Sequence, residues 1–178
     1  THAAGGSTLD VRVVRESDDD STTLARVTRT VEAAAAGIDF SPDGADAANA
    51  AINGGSTDGT TTVADGGRTV VVEGNQWATA RRTYTVTPAT RLSFTFESDN
   101  TCEIHAIGFA SSQNRRRMVY VAGSQGWGTN VTNYGGAWYR VGDGRVRYDV
   151  PIGEVYADNG VLGADDRLDA SELTLVND

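Results

Sequence analysis

Residues 91–97 read Arg-Leu-Ser-Phe-Thr-Phe-Glu, and residues 103–109 read Glu-Ile-His-Ala-Ile-Gly-Phe. In the first run Leu92, Phe94 and Phe96 alternate with Arg91, Ser93, Thr95 and Glu97. A period of two with one apolar face is the pattern of a half-buried β-strand. Ser98-Asp99-Asn100-Thr101 supplies turn chemistry, because Asp and Asn side chains bond their own backbone and tolerate left-handed geometry. The second run places Ile104 and Ala106 on one face and His105, Ile107 and Phe109 on the other. Gly108 interrupts it where a side chain would crowd a neighbouring strand. The expectation is a central hairpin over residues 91–109.

Outward from this hairpin, the same reasoning predicts strands at 68–73, 82–87, 117–121, 137–141, 145–150, 155–157 and 172–176. Toward the N-terminus, Leu9, Val11 and Val13 alternate with Asp10, Arg12 and Val14. A return strand over 24–32 turns Ala25, Val27 and Val31 inward, and Arg29 falls on their face, which points to a sheet edge or a partly covered face. Short helical turns are expected at 33–36 and 46–51, within a loop-like stretch from 38 to 67. Strands about ten residues apart with Gly- or Asn-bearing turns indicate an antiparallel sandwich. The expected fold is therefore all-β, a jelly-roll-like β-sandwich over 38–178 with an additional N-terminal hairpin over 1–37. Its core should contain Leu92, Phe94, Phe96, Ile104, Ile107, Phe109, Val119, Tyr148 and Leu175.

The chain has 178 residues, 21 of them glycine, and a formal net charge of −9. That length builds one domain, or one domain plus an appendage, with a real core, and the acidity argues against a nucleic-acid partner. Cys102 is the one cysteine, so no internal disulfide forms. No apolar run approaches the ~20 residues of a helical membrane span. A start at Thr1 without Met is what a processed product would show.

Several short motifs follow one another in order. They are Gly74-Asn75-Gln76-Trp77, Tyr84-Thr85-Val86-Thr87-Pro88, Glu103-Ile104-His105-Ala106-Ile107-Gly108-Phe109, Gly126-Trp127-Gly128, Asn133-Tyr134, Trp138-Tyr139 and Val150-Pro151-Ile152-Gly153. This series resembles the carbohydrate-binding-module-like β-sandwich domains appended to secreted bacterial polysaccharide-degrading enzymes and surface proteins. The resemblance covers about 38–178. Residues 1–37 have no counterpart in it, and the segment after the Pro-Ile-Gly turn departs from it as Val155-Tyr156-Ala157-Asp158-Asn159-Gly160. It implies a polysaccharide ligand, an extracellular or cell-surface location, and calcium as a companion ion.

Sugar binding needs flat apolar faces for pyranose C–H surfaces and planar hydrogen-bonders for hydroxyls. The segment 123–139 offers Trp127, Tyr134 and Trp138 among glycines that free the backbone to present the rings. The turn at Pro151–Gly153 leads to Asp158 and Asn159, the expected hydrogen-bonders. The competing reading is that Trp127 and Trp138 close the ends of the sandwich. For calcium, which takes about six to eight oxygens, Asp43 and Asp46 with Asn49 form one candidate loop. Asp165 and Asp166, with Asp158, Asn159 and Asp169, form another, against a solvated acidic surface as the alternative. Neither has EF-hand spacing.

An enzyme is not expected. His2 and His105 are the sole histidines, His105 reads as a hydrogen-bonded structural residue, and no zinc pair or nucleophile elbow occurs. Glu97 and Glu103 flank the turn but read as ordinary strand-end charges rather than a glycosidase pair. Two functions remain. The first is a non-catalytic extracellular carbohydrate-binding module. The second is a structural subunit of an extracellular filament or surface layer, self-associating as its N-terminal strand pairs with a neighbour's sheet.

Overall fold

The computed structural model describes residues 6–15, 38, 40, 50–52, 59–110 and 114–178. Among the described residues the strands are β1 (Gly6–Arg15), β2 (Ala50–Ile52), β3 (Thr60–Ala64), β4 (Thr69–Glu73), β5 (Gln76–Val86) and β6 (Thr90–Ser98). They continue with β7 (His105–Gly108), β8 (Val119–Ala122), β9 (Thr129–Asn130), β10 (Val146–Val150) and β11 (Leu168–Asn177). One helix, α1 (Ile152–Asp158), precedes β11. The strands form a sheet of order β10-β6-β1-β4-β3 and a second of order β2-β5-β11-β7-β8-β9. The described residues are thus strand-rich with two sheets, as an all-β protein is.

The expected 91–109 hairpin does not form. β6 pairs with β1 and β10 in the first sheet, whereas β7 pairs with β11 and β8 in the second. The physical reason lies in β7, which is buried along its whole length. Ile107 joins the main apolar cluster with Phe94, Phe96, Tyr148, Val121 and Leu175, which come from both sheets. Ile104 and Ala106 join a second cluster with Trp77, Met118 and Val176. A strand apolar on both faces needs cover on both, and β7 finds it in the main cluster on one face and in the Trp77, Met118 and Val176 cluster on the other. All nine expected core residues are buried. Gly108 meets the backbone so closely that an added Cβ would collide with the Arg117 carbonyl.

Other expectations change for equally local reasons. β1 lies between β6 and β4 rather than at an edge; the return strand 24–32, Arg29 and the turn 33–36 fall outside the described residues. Ala50 and Ala51 belong to β2 rather than a helical turn, and β3 occupies part of the stretch read as loop. No strand forms over 137–141, because Tyr139 turns inward as a peg: its hydroxyl donates to the Ser98 carbonyl at 2.8 Å and accepts from the Ser98 N–H at 2.9 Å.

The expected strand 155–157 is part of α1. Ile152, Val155 and Tyr156 are fully buried at i, i+3 and i+4, a helical stripe rather than a strand alternation. Gly160, at φ 62, ends the helix in the left-handed conformation that L side chains avoid. The buried Tyr156 hydroxyl donates to the Arg117 carbonyl at 2.6 Å and accepts from the Phe109 N–H at 2.7 Å, fastening α1 to the strands beside it.

A cavity of about 30 Å³ lies among Phe94, Phe96, His105, Ile107 and Leu175. It is far below the roughly 300 Å³ at which ligand pockets begin, so this cavity is a packing gap rather than a ligand pocket. His105 is buried beside it, its Nε2 3.3 Å from the Asn100 carbonyl and 3.4 Å from Ser98 Oγ. Its ring stands edge-on to Phe96 at 5.1 Å.

Two outcomes follow from this interior. Phe94 stacks on Tyr148 at 5.1 Å, and Phe94→Ala is expected to cost about 3–5 kcal/mol in urea unfolding, the transfer-plus-cavity figure for a core Phe. Burial holds the His105 pKa below its ordinary value, with the Asn100 carbonyl opposing the shift. The unfolded chain takes up this proton near pH 6.5 while the folded chain does not. The contribution is therefore complete above about pH 6.5 and is lost as pH falls toward the folded pKa. Thermal melts at pH 7.5 and 5.5 should show lower stability at 5.5, with a smaller difference in His105→Gln; an unchanged difference would contradict this.

Candidate functional site

β8 is where the interior and a candidate binding surface share one strand. Val119 and Val121 point into the main cluster. Met118 and Tyr120, one residue out of phase, belong with the second cluster on the other face, as a period of two requires. Tyr120 is half-buried. Trp138 stands edge-on to it, with ring centroids 5.4 Å apart and planes at 84°. The Tyr139 N–H donates to the Val121 carbonyl at 2.9 Å, and this bond, with the Tyr139 peg, fixes the chain on which Trp138 stands.

Trp127 reaches the same face from the loop after β8. Its ring packs edge-on against the buried Trp77 at 5.1 Å and 77°, and it remains half-exposed. The loop can lie this close because Gly128, at φ 106, leaves no Cβ to strike the Met118 carbonyl. Gly126 faces the Tyr120 hydroxyl, where an added Cβ would stand 3.5 Å away. Trp127, Tyr120 and Trp138 thus gather at one outer surface of the second sheet.

Planar polar groups flank these rings. The exposed Arg115 guanidinium donates to the Gly126 carbonyl at 3.0 Å. The Gln125 amide donates to the Glu103 carboxylate at 2.5 Å. Each retains further hydrogen-bonding capacity.

Tyr134, Asp158 and Asn159 make contacts of another kind. The Tyr134 hydroxyl donates to the Asp158 carboxylate at 2.7 Å. Burial, then that hydrogen bond, then the charges of Asp158 and Glu154 push its pKa up to about 12, so it stays a donor through the neutral range. The Asn159 amide donates to the Arg116 carbonyl at 3.2 Å and to Thr129 Oγ1 at 2.8 Å. These bonds tie the end of α1 to β9. The five residues expected to form one site therefore divide into two half-exposed tryptophans and a hydrogen-bonded group of Tyr134, Asp158 and Asn159.

Tyr120 was not among the expected residues. Its signal was present in Met118-Val119-Tyr120-Val121, whose alternation puts the tyrosine opposite the two valines. Glu97 pairs with Arg145 at 3.1 Å, and Glu103 holds Gln125. Asp43 and Asp46 lie outside the described residues. Asp165 and Asp166 are exposed in the turn closed by the Asp166 N–H donating to the Gly163 carbonyl. Asp169 accepts from Arg167 at 2.8 Å and from Thr85 at 2.8 Å. Among the described residues no three His, Cys, Asp or Glu side chains converge closely enough to hold a metal ion, and no helix is long and apolar enough to cross a membrane.

The two tryptophans differ in what they support. Trp138→Ala should cost about 1 kcal/mol, the scale of one edge-on aromatic pair. Trp127→Ala uncovers Trp77 as well, and should cost roughly 2–3 kcal/mol. Urea unfolding of the two variants measures both, and a reversed order would contradict these contacts. In comparisons with known proteins, no family model, no curated protein and no solved structure matches this chain.

Proposed function

We propose that this chain is a non-catalytic carbohydrate-binding module of an extracellular or cell-surface protein. In this reading its two sheets pack as a jelly-roll-like β-sandwich, and the outer face at β8 receives a polysaccharide. The observation that carries it is the grouping of Trp127, Tyr120 and Trp138, half-exposed, beside Arg115 and Gln125. Half-exposed rings keep apolar faces free for pyranose C–H surfaces, while the guanidinium and amide orient hydroxyls. The ordered motif resemblance over 38–178 supports the same assignment. Tyr134, Asp158 and Asn159 act here as the brace that sets the sheet margin.

Stacking on a few open rings gives modest energy, so dissociation constants should lie between about micromolar and millimolar, some 4–8 kcal/mol. The test is a broad polysaccharide panel read by affinity electrophoresis, with Tyr120→Ala and Trp138→Ala compared at matched folded fraction. Retardation of the native chain by at least one glycan, weakened about tenfold or more in each variant, is expected. Absence of retardation by every glycan, or full retention in both variants, would overturn the proposal.

A further inference from the structure

Charge is distributed unevenly along this chain. It carries 24 acidic residues against 15 basic ones. Between Ile104 and Gly142 there is no Asp or Glu at all, where the average density of the chain would give about five. The same stretch holds Arg115, Arg116, Arg117 and Arg140, and it supplies Tyr120, Trp127 and Trp138. The aromatic surface at β8 therefore sits on the basic segment of an acidic protein.

Three arginines elsewhere meet carboxylates: Arg91 pairs with Asp149 at 3.0 Å, Arg145 with Glu97 at 3.1 Å and Arg167 with Asp169 at 2.8 Å. Among the described residues, no carboxylate pairs with Arg115 or Arg116. The acidic groups bordering the stretch are engaged by other partners. Glu103 accepts from the Gln125 amide. Asp158 accepts from Tyr134, although its neighbour Asn159 bonds the Arg116 carbonyl. Asp143 accepts from the Arg140 N–H at 2.7 Å, which leaves Arg115 and Arg116 as the exposed cations without a counter-charge.

Their position is set by local bonds. Arg115–Arg117 form a short 3-10 turn, and the Asn114 side chain caps it by accepting from the Arg116 N–H at 3.2 Å. The Arg115 guanidinium donates to the Gly126 carbonyl at 3.0 Å. Gly126 precedes Trp127, and a Cβ added to it would stand 3.5 Å from the Tyr120 hydroxyl. That bond uses one of five guanidinium N–H groups, so a planar fork remains for a carboxylate or sulfate. A guanidinium already held in place loses less freedom when an anion arrives.

The net charge of −9 does not prevent this. At physiological salt the Debye length is about 8 Å, so a ligand at β8 responds chiefly to the arginines beside it. An acidic glycan presents apolar pyranose faces between separated charges, which matches open rings beside two cations. A nucleic acid carries a far denser row of phosphates, against which the whole chain is repelled.

We propose that the ligand of the β8 surface is an acidic polysaccharide, whose uronate carboxylates or sulfates are held by Arg115 and Arg116 while its pyranose faces lie on the rings. This rests on the reading of that surface as a glycan site.

Matched polymers separate charge from backbone: polygalacturonate against its methyl-esterified form, and dextran sulfate against dextran. Binding of the full chain to each immobilised polymer is followed by biolayer interferometry, with single-stranded DNA as a polyanion that is not a glycan. The charged member of at least one pair should bind about tenfold or more tighter than its neutral counterpart, and the pair that responds distinguishes carboxylate from sulfate. Raising sodium chloride from about 50 to about 500 mM should weaken that binding roughly tenfold. Arg115→Gln with Arg116→Gln should abolish the preference at unchanged melting temperature. Arg145→Gln with Arg147→Gln, an equal change of charge on the first sheet, should retain it. Equal binding of charged and neutral members, binding confined to neutral glycans, or a preference that survives Arg115→Gln with Arg116→Gln would overturn the inference and leave the glycan module standing. DNA bound as tightly as the charged glycan would also overturn it, because the surface would then read charge alone. Binding to no glycan would overturn both.

Discussion

The apolar cluster shared by the two sheets is the constraint on which the remaining structure depends. Phe94 and Phe96 reach it from β6, Tyr148 from β10, and Ile107, Val121 and Leu175 from the other sheet. Burial on this scale is the main favourable term in folding, but it is non-directional and would not by itself fix how the parts sit. Directional bonds do that. Tyr139 grips both the N–H and the carbonyl of Ser98. Tyr156 does the same between Phe109 and Arg117. Each hydroxyl is buried only because it satisfies two backbone groups that would otherwise be costly to bury.

The proposed binding surface is a by-product of that packing. With Val119 and Val121 committed inward, Tyr120 has nowhere to go but the outer face. With Tyr139 pegged to Ser98, Trp138 is held beside Tyr120. Trp127 is held from the other direction by Trp77, which belongs to the second cluster. Tyr120 owes its position to the valines on the other face of β8, and the two tryptophans owe theirs to ring contacts with Trp77 and Tyr120, so in this proposal the surface is pre-ordered rather than assembled on contact with a ligand. Pre-ordering lowers the entropic cost of binding, which matters for a site with few contacts.

Much of the strand content was legible because alternation is a local signal. Leu92, Phe94 and Phe96 announce one buried face, and residues 104–109 announce two. Pairing was not legible. Turn-forming residues at 98–101 suggest a hairpin, yet the two strands separate into different sheets because β7 needs cover on both faces, a non-local requirement. The helix at 152–158 was hidden because its stripe of Ile152, Val155 and Tyr156 spans little more than one turn, too short for periodicity to decide. Trp127 is visible between two glycines, and Trp138 in the same glycine-rich segment. Tyr120 is not distinctive in the sequence, because a tyrosine inside a strand reads as core. The bonds of Asn159 to Arg116 and Thr129 join segments far apart in the chain, so no local pattern announces them.

Tryptophan side-chain resonances report the central claim most directly, since Trp77, Trp127 and Trp138 are the three tryptophans of the chain and each gives one indole N–H signal. In a titration of the ¹⁵N-labelled chain with a retarding polysaccharide fragment, the account predicts the largest saturable shift at Trp138 and Trp127. Trp77 should move less, being buried beneath Trp127. Saturable binding that leaves the Trp127 and Trp138 indoles unmoved, while backbone signals elsewhere shift, would contradict it.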